Sequence, residues 1–508
     1  MPDEQTFPTD RLRPEDHEAL PDWVTSQRRP RLYASGQRWR RLSQRAASAI
    51  SANDPPTATL RLREIETVAD DRHARAVVDL ATRVAALTLT TGGSSAEATA
   101  AALQVTHSYG LTSVHVEVSF SSVIVSLHRG ADRDALTLLR TVPHRAPDYA
   151  RLSELQAMLE DLPKLDVIRA RKRFDQIVEK PRRYRPWVLT VAAAVLGVGV
   201  ALLLGGGWRE ALLAGLAAAG VDLVHSGLSR RGAPEFFAQI AGAAVPTSLA
   251  LVVTGLGTLE VPGFAGISPS MVVAAGVVML LSGLSVVSGA QDAIDGFLLT
   301  AVARSFQVGL LTLGMVLGIL GVLWAANLFG LPSYLNSQVT TSLNPLPTTL
   351  GALFTALGFA VMSQTRIKAL WWCCGLGVLG WLGFLAGQAV GLGHGTSVGV
   401  GATVAAIVAH LVSRPARMAP VGLITAGVIA LLPGGMVYRG LYGLSQSHSL
   451  IEFGPATLEL IGAVTVGIGI AMGVTLGTWL GRFATRGRDG RFRFQRKALR
   501  HSAGVLGE

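Results

Sequence analysis

The chain has 508 residues, of which 49% are hydrophobic and only 16% are charged, and its 57 glycines exceed the share of roughly 7% that is typical of soluble proteins. Residues 1–186 hold 24 of the 34 acids and 28 of the 45 Lys and Arg residues, whereas 187–481 breaks into apolar runs close to the roughly 20 residues that a helix needs to cross a bilayer. A single soluble domain is therefore excluded, and the sequence predicts a mainly α, polytopic membrane protein with a small soluble domain in front.

The net charge of +11 does not by itself indicate a nucleic-acid partner. Eight basic residues lie in the last 27 positions, directly after an apolar segment, and a second basic cluster, 180–183, lies directly before the first one. Such residues are topology anchors, so we expect no nucleic-acid binding. The two cysteines, Cys373 and Cys374, are adjacent in an apolar run, which excludes a disulfide framework. We expect neither a metal nor another cofactor.

The first 180 residues predict a tail and a small cytoplasmic α/β domain. Residues 1–73 lack the apolar core of a signal peptide, and their composition predicts a largely disordered tail. Residues 74–180 form the domain. A helical stripe from Ala74 ends at Gly92-Gly93, and Ser94 with Glu97 has capping-box spacing at the start of a second helix. Two β-branched strands, 113–120 and 123–128, and a helix over 148–162 follow.

A hydrolytic site is the alternative that the serines and histidines of this domain raise. Gly92-Gly93-Ser94-Ser95-Ala96 follows a helix and lacks the second glycine of a nucleophile elbow. We therefore interpret Ser94 as a helix cap. A membrane-anchored hydrolase or sensor stays the alternative, but no H-E-x-x-H motif is present and transport explains the intramembrane polar residues better, so we do not expect an enzyme.

Ten apolar segments follow the α/β domain. They predict two membrane halves of five helices, 187–330 and 347–481, and a basic cytoplasmic tail over 482–508. Lys and Arg cluster at the segment ends that share the side of the α/β domain, which places both termini in the cytoplasm and the chain in the cell (inner) membrane. The segments are 187–204, 210–228, 236–259, 268–289, 305–329, 348–362, 367–390, 396–412, 421–437 and 453–481.

An internal repeat links the two halves at an offset of 151 residues. Residues 269–283 read PSMVVAAGVVMLLSG and residues 420–434 read PVGLITAGVIALLPG, with seven identical positions. Because five is an odd number, the second copy crosses the membrane in the opposite direction, and the repeat is inverted. Transporters of this kind bind substrate where broken helices expose backbone groups. Both copies end in residues that interrupt helices, Ser282-Gly283 and Pro433-Gly434-Gly435. They predict broken helices within the membrane; the alternative is an ordinary helix end at the membrane surface.

Few ionisable residues lie in or beside these segments. Each is informative, because a charge at the bilayer centre costs at least about 2.5–3.5 kcal/mol. For the residues of the first half, the alternative to a functional role is simple solvation at the cytoplasmic face. Glu459 lies six residues into an apolar run, where solvation is harder to invoke. The candidates are Asp222, His225, Asp292, Asp295 and Arg304 in the first half, with the polar Gln291 beside them, and Tyr438, Arg439 and Glu459 in the second.

A stripe of four glycines runs along the tenth segment, at Gly469, Gly473, Gly477 and Gly481. Small residues at this spacing allow helices to approach closely. The stripe predicts packing either inside the bundle or between the subunits of a homo-oligomer.

The order of these motifs resembles the threonine/serine exporter family. In the front domain, residues 92–97 and the strand pair 114–119 and 122–126 are similar to the cytoplasmic module of that family. In the membrane part, 282–304 is similar to its Pro-Gly, acidic and Gly-x-Ala-Arg elements, although Ser282 replaces the usual proline. Residues 432–440, LPGGMVYRG, are similar to its second-half signature.

The resemblance implies a secondary transporter that exports threonine and serine and uses the proton motive force. Its partners would be a small-molecule substrate, protons and the lipid bilayer. Backbone N–H groups at a broken helix and a nearby carboxylate can bind a zwitterion, whereas a dicarboxylate, the alternative substrate, would favour Arg304 and Arg439. The expected substrate-binding residues are Ser282, Gly283, Gln291, Asp292, Asp295, Pro433, Gly434, Gly435, Tyr438 and Arg439, and the expected proton-coupling residues are Asp292, Asp295, Arg304, Asp222, His225 and Glu459.

Overall fold

A computed structural model describes residues 71–129, 134–142, 146–264, 266–280, 283–329, 344–446 and 450–485. All of them belong to one unit, Pro55–Glu508. Nearly all of the predicted tail 1–73, most of the loop between the two halves, Ser282 and most of the basic tail 482–508 lie outside the described residues.

The α/β domain contains a three-stranded antiparallel sheet in the order β1-β2-β3. The predicted helices and strands are confirmed. The structure adds two elements that the sequence does not predict, β3 and α4. Strand β3 has only one buried side chain and α4 is rich in charge, so neither shows a clear apolar pattern. The elements are α1 (Asp71–Thr90), α2 (Ser95–Ser108), β1 (Val114–Val118), β2 (Ser122–Leu127), β3 (Leu136–Thr141), α3 (Tyr149–Asp161), a 3₁₀ helix (Leu162–Lys164) and α4 (Val167–Glu179).

Helix α1 forms the centre of this domain. Its buried positions Val77, Leu80 and Val84 recur at helical spacing and are fully buried. They pack with the alternate side chains of β2, of which Val123 and Val125 are also fully buried. Burial of each such side chain contributes about 1.5–3 kcal/mol, so the pattern that predicts the elements also stabilises their packing.

A capping box begins α2, as the sequence predicts. The Glu97 backbone N–H donates to Ser94 Oγ (3.1 Å), and the Ser94 N–H donates to Glu97 Oε2 (3.2 Å). The two groups satisfy helix N–H groups that have no partner within the helix. The structure thus gives Ser94 a local capping role.

The membrane part begins at Pro186. Eight of its described helices are long and apolar enough to cross a membrane, and the bent pair Pro420–Leu431 with Gly434–Gly440 is a ninth candidate. Its elements are α5 (Pro186–Leu203), α6 (Trp208–Arg230), α7 (Glu235–Thr258), α8 (Pro269–Val278), α9 (Gly283–Ile294), α10 (Leu298–Leu328), α11 (Pro345–Met362), α12 (Ile367–Ala389), α13 (His394–Ala416), α14 (Pro420–Val428), a 3₁₀ helix (Ile429–Leu431), α15 (Gly434–Gln446) and α16 (Leu450–Thr485).

Both copies of the sequence repeat are interrupted helices. The expected fourth crossing, 268–289, is divided into α8 and α9, and the ninth, 421–437, into α14 and α15. Helix α8 has 10 residues, which at about 1.5 Å per residue reach halfway through a bilayer core. In place of ten uninterrupted crossings, the described residues contain eight long helices and two interrupted segments.

The two halves repeat the same helix neighbours. In the first half α6 and α7 both pack on α8, and α7 packs on α10; in the second half α12 and α13 both pack on α14, and α13 packs on α16. Helices α9 and α10 are neighbours, as are α15 and α16. Helix α5 of the first half packs against α11, its counterpart.

Close glycine contacts match between the halves at the level of single residues. Gly318 of α10 lies against the backbone of Ile240, and Gly473 of α16 lies against the backbone of Gly399. This match places Gly473 of α16, 155 residues later in the sequence, at the position of Gly318 of α10. It places Gly399 of α13, 159 residues later, at the position of Ile240 of α7. Since Gly473 packs on α13, the glycine stripe is used inside the bundle.

Helices α5 and α11 run in opposite directions. Gly351 lies against Leu203, near the end of α5, whereas Gly358, further along α11, lies against Leu196. As the residue number rises in one helix it falls in the other. In an inverted repeat, equivalent helices of the two halves cross the membrane in opposite directions.

We expect Gly318→Ala to destabilise the protein far more than Gly321→Ala. A Cβ at position 318 would overlap the carbonyl oxygen of Ile240, whereas position 321 of the same helix has nothing within 4 Å of an added Cβ. Overpacking costs about 1–3 kcal/mol. Thermal unfolding of the purified variants in detergent measures the difference, and equal melting temperatures would contradict the close packing of α7 and α10.

Candidate functional site

The break in the first half exposes backbone that a buried glutamine binds. Helix α8 ends at Val278, and Gln239 of α7, which is 4% exposed, donates from Nε2 to the carbonyl oxygen of Leu280. The carbonyls at a helix end lack partners within the helix, so this amide stabilises the break. Gly283 begins α9. The sequence offered a signal for Gln239, since it is a polar residue within an apolar segment.

The break in the second half lies at the predicted Pro433-Gly434-Gly435. The chain leaves the 3₁₀ helix at Leu432, whose backbone is extended, and restarts at Gly434, with a bend of 46° between the two parts. Gly434 is buried. A Cβ at Gly435 would lie 3.0 Å from the Leu204 side chain and 3.7 Å from Nη1 of Arg439. The bend thus brings the start of α15 close to the end of α5, and the Arg439 guanidinium, one turn further along α15, lies beside it.

A buried ion pair joins α9 to α10. Arg304 Nη2 lies 3.1 Å from Asp292 Oδ2, and the two side chains are 9% and 1% exposed. The structure therefore excludes solvation at the surface for these two predicted residues. Buried charges are tolerated when they are paired, and the pairing connects the helix after the break with the last helix of the half.

Asp295 lies in the turn between α9 and α10. Burial raises the pKa of its carboxyl group to about 6, an effect to which the negative charges of Asp292 and Glu97 add and which the positive charge of Arg482 opposes. This group can therefore take up or release a proton near neutral pH. Glu97, the capping residue of α2, brings the α/β domain into the electrostatics of the site.

A second ion pair joins α15 to α16. Arg439 donates from Nε and Nη2 to the two carboxylate oxygens of Glu459, both at 3.2 Å. The two side chains are half-buried. This bidentate geometry is the stronger form of an arginine–carboxylate contact, and it pairs two residues that the sequence singled out separately.

Each ion pair joins the helix after a break to the last helix of its half, with the charges exchanged between the two halves. The offset of 155 residues that relates α10 to α16 carries Arg304 onto Glu459. In the first half the last helix supplies the guanidinium and the preceding helix the carboxylate, whereas in the second half these roles are reversed. Each half thus contains one balanced pair of opposite charges.

The other predicted site residues are not members of either ion pair. Tyr438 is buried in an apolar cluster that includes Leu280, and Gln291 is half-buried on α9. Asp222 accepts a hydrogen bond from Thr190 (2.7 Å), and His225 is half-buried. In the described part of the chain, no contact brings Asp222 or His225 into either ion pair, and no three His, Cys, Asp or Glu side chains converge as a metal site.

The α/β domain contacts both halves, which no sequence motif indicates. On α3, the backbone N–H of Tyr149 donates to the Ser363 carbonyl (3.0 Å), and its hydroxyl lies 3.0 Å from Thr425 Oγ1 on α14. On α10, Thr300 Oγ1 donates to the carbonyl of Val118 (3.3 Å). These contacts involve α10, which follows the interrupted segment of the first half, and α14, which precedes the break of the second half.

One serine has the spacing of a nucleophile elbow without its geometry. Gly395-Thr396-Ser397-Val398-Gly399 reads G-x-S-x-G, but it lies inside α13, and Ser397 Oγ donates to the Gly393 carbonyl (3.0 Å) in its own helix. A nucleophile elbow requires a strand before the serine. The motif is therefore helix packing and not a hydrolytic site.

Two family profiles match consecutive parts of the chain. Residues 79–325 match the family described as "Putative threonine/serine exporter", and residues 348–479 match "Threonine/Serine exporter, ThrE". Together they cover the α/β domain and both membrane halves.

Curated relatives match across the same regions. A "Probable threonine/serine exporter" of Mycobacterium tuberculosis is 31% identical over 81% of this chain and 77% of that protein. A "Threonine/serine exporter" of Corynebacterium glutamicum is 28% identical over 81% of this chain and 84% of that protein. A "Probable succinate transporter subunit YjjP" of Klebsiella aerogenes is 27% identical over 52% of this chain and 98% of that protein. No solved structure matches the chain significantly.

Proposed function

The chain belongs to the threonine/serine exporter family, and we propose that it exports threonine and serine from the cytoplasm with the proton motive force as its energy source. Its relatives are named as exporters and transporters, so this multi-pass membrane protein is a transporter and not an enzyme. We further propose that it lies in the inner membrane, with both termini and the α/β domain in the cytoplasm.

One observation carries the proposed substrate class: each half contains an ion pair of one carboxylate and one guanidinium beside a broken helix. An amino acid has both an ammonium and a carboxylate group. It can therefore replace the contacts within such a pair without leaving a buried charge uncompensated, which would be costly. Between the two pairs, the hydroxyl group of threonine or serine would bind to the backbone groups at the breaks, around Gly283 and Gly434.

An inverted repeat of five and five segments is the proposed architecture. The matched helix neighbours of the two halves and the antiparallel contact of α5 with α11 support it. In this arrangement α9 and α15 leave the membrane on opposite sides, as do the ion pairs that they carry. The substrate site would lie between the two breaks, near the bilayer midplane.

The two ion pairs are the proposed gates at opposite ends of the pathway. Arg304 is six positions after the start of α10, where this helix contacts the α/β domain. Glu459 is nine positions after the start of α16, which in the proposed topology lies on the other side. Alternate opening of the Asp292–Arg304 pair and the Arg439–Glu459 pair would expose the site to one side at a time.

Asp295 is the proposed proton-coupling residue with the strongest support. Its raised pKa permits titration near neutral pH, and it follows directly on the helix that carries Asp292. A proton and a substrate ammonium group could compete for this carboxyl cluster. Glu459 and Arg304 would act through the gates, while Asp222 and His225, outside both pairs, have less support.

Dicarboxylate export is the second candidate function. The observation in its favour is the match to succinate transporter subunits, which covers about half of this chain. A dicarboxylate carries two negative charges and would need an excess of cations in its site. Both Arg304 and Arg439 are instead neutralised by carboxylates, which favours the zwitterion.

The test is counterflow in proteoliposomes that contain the full-length protein. Vesicles loaded with unlabelled threonine should accumulate labelled threonine and serine, and an imposed pH gradient should drive net movement. Parallel vesicles are loaded with unlabelled succinate or unlabelled alanine and receive the same compound in labelled form. Accumulation of succinate without threonine would overturn the amino-acid proposal in favour of the dicarboxylate.

Arg439→Glu should abolish counterflow, and the exchanged variant Arg439→Glu/Glu459→Arg should restore part of it. The single variant places two carboxylates in contact, whereas the double variant recreates a pair of the same polarity as Asp292–Arg304. Initial counterflow rates at equal protein incorporation measure the effect. If the double variant were no more active than the single one, the two residues would not act as a pair.

A further inference from the structure

A cavity lined by basic residues lies at the end of the membrane part that faces the α/β domain. Its volume is about 650 Å³, which is large enough for a small organic anion or a lipid headgroup. It is distinct from the two ion pairs described above. Its lining residues are Arg183, Arg366, Ile367, Lys368, Pro415, Ala416 and Arg417.

The positive charge in this cavity is largely uncompensated. Arg366 lies 3.2 Å from Glu154, and that carboxylate is shared with Lys180 at 2.7 Å. Arg183, Lys368 and Arg417 make no ion pair with any carboxylate of the described residues. Like charges that converge on one cavity repel each other, so the site is most stable when an anion occupies it.

The backbone around the cavity is fixed. The Tyr184 N–H donates to Gln364 Oε1 (3.1 Å), and the Tyr184 hydroxyl donates to the carbonyl oxygen of Thr365 (2.8 Å), which ties the linker before α5 to the turn before α12. Arg417 adopts a left-handed conformation with φ of 48°. Such a conformation is costly for a residue other than glycine, and here it presents a guanidinium to the cavity.

The surface beside the cavity is apolar and aromatic. Ile367 is 61% exposed, and Trp371, one helical turn further along α12, is 83% exposed. Tryptophan side chains of this kind are typical of the boundary between headgroups and acyl chains. A ligand in the cavity can thus have its anionic group among the basic side chains and its apolar part along α12.

We propose that this cavity binds the headgroup phosphate of an anionic phospholipid from the leaflet on the side of the α/β domain. Basic pockets between membrane helices on this side are suited to phosphate headgroups, and arginine binds phosphate oxygens in bidentate fashion. The adjacent apolar face of α12 favours a lipid over a soluble phosphate, because only a lipid has acyl chains that can pack against it. The proposal does not depend on the transported substrate.

The test measures lipid binding to the full-length protein in detergent. Phosphatidylglycerol is titrated while the melting temperature is recorded, with phosphatidylcholine as the uncharged comparison and glycerol phosphate as the soluble one. Phosphatidylglycerol should raise the melting temperature, and the other two should not. Native mass spectrometry of the same samples should retain phosphatidylglycerol on the protein.

Lys368→Gln/Arg417→Gln is the informative variant. Each cation near an anionic surface contributes roughly fivefold in affinity, so removal of two should raise the midpoint of the phosphatidylglycerol titration by about 25-fold. Arg230→Gln/Arg231→Gln at the exposed end of α6 is the matched control with the same change in charge, and its midpoint should stay that of the wild type. Lys368→Gln alone, at an exposed position, keeps the test valid if the double variant does not fold.

Three results would overturn the proposal. An equal effect of the control variant would mean that the general surface charge attracts the lipid. An equal melting shift with glycerol phosphate would mean a site for soluble anions. Unchanged phosphatidylglycerol binding in the cavity variants would mean that the cavity does not bind the lipid.

Discussion

Arg304→Gln should lower the free energy of unfolding by about 3–5 kcal/mol and abolish transport. The substitution leaves the Asp292 carboxylate, which is 1% exposed, without its 3.1 Å partner, and removal of one member of a buried pair has a cost of this size. Denaturation of the purified protein by titration with a harsh detergent measures the stability, and threonine counterflow measures the activity.

The double variant Asp292→Asn/Arg304→Gln separates folding from function. It contains no unpaired charge, so it should recover most of the lost stability, but it should not transport, because the proposed zwitterion contacts are gone. Arg171→Gln is the control, since its pair with Asp79 (2.7 Å) is more than a third exposed and such pairs contribute at most about 1 kcal/mol. Wild-type counterflow in the double variant would mean that the pair is structural.

The positions of the breaks could be predicted from the sequence, but their form could not. Gly283 and Gly434 were expected to end the two repeat helices, and in the structure each begins the helix after the break. The first helices end several residues earlier, at Val278 and Val428. An apolar run gives no signal for this, because the carbonyl of Leu280 is satisfied by Gln239 from another helix.

Contacts between residues that are distant in the sequence could not be predicted, for a different reason. Glu459 and Arg439 are 20 residues apart on different helices, and the partner of a charge depends on how these helices pack. The same holds for Tyr149, whose contact with Thr425 spans 276 residues. By contrast, the capping box at Ser94 depends on four consecutive residues and was predicted correctly. Local patterns therefore predicted elements and caps, whereas the candidate site required the tertiary structure.

Asp295→Asn should uncouple export from the pH gradient while exchange continues. Asn can accept and donate hydrogen bonds but cannot bind a proton in this pH range. Counterflow between equal threonine pools should therefore stay near the wild-type rate, and accumulation driven by a pH gradient should be lost. Asp134→Asn, at an exposed position of the α/β domain, is the matched control and should keep both activities.

The same variant should change the pH dependence of stability in a defined direction. The pKa of Asp295 is about 6 in the folded protein, above its ordinary value of 3.8, so the folded state binds the proton more tightly than the unfolded state. The wild type should therefore lose stability as the pH rises from about 4 to 6, and keep this loss at higher pH. Asp295→Asn lacks this loss, so its melting temperature should exceed that of the wild type above pH 6 and approach it below pH 4.

The two readouts together distinguish a coupling residue from a solvated carboxylate. A solvated Asp295 would give the same melting temperature as the Asn variant at every pH and would leave gradient-driven export intact. A buried carboxylate without a coupling role would change the melting profile and leave gradient-driven export intact. The combination of a changed melting profile, retained exchange and lost gradient-driven export would assign proton coupling to Asp295, because only a group that titrates within the transport cycle links all three.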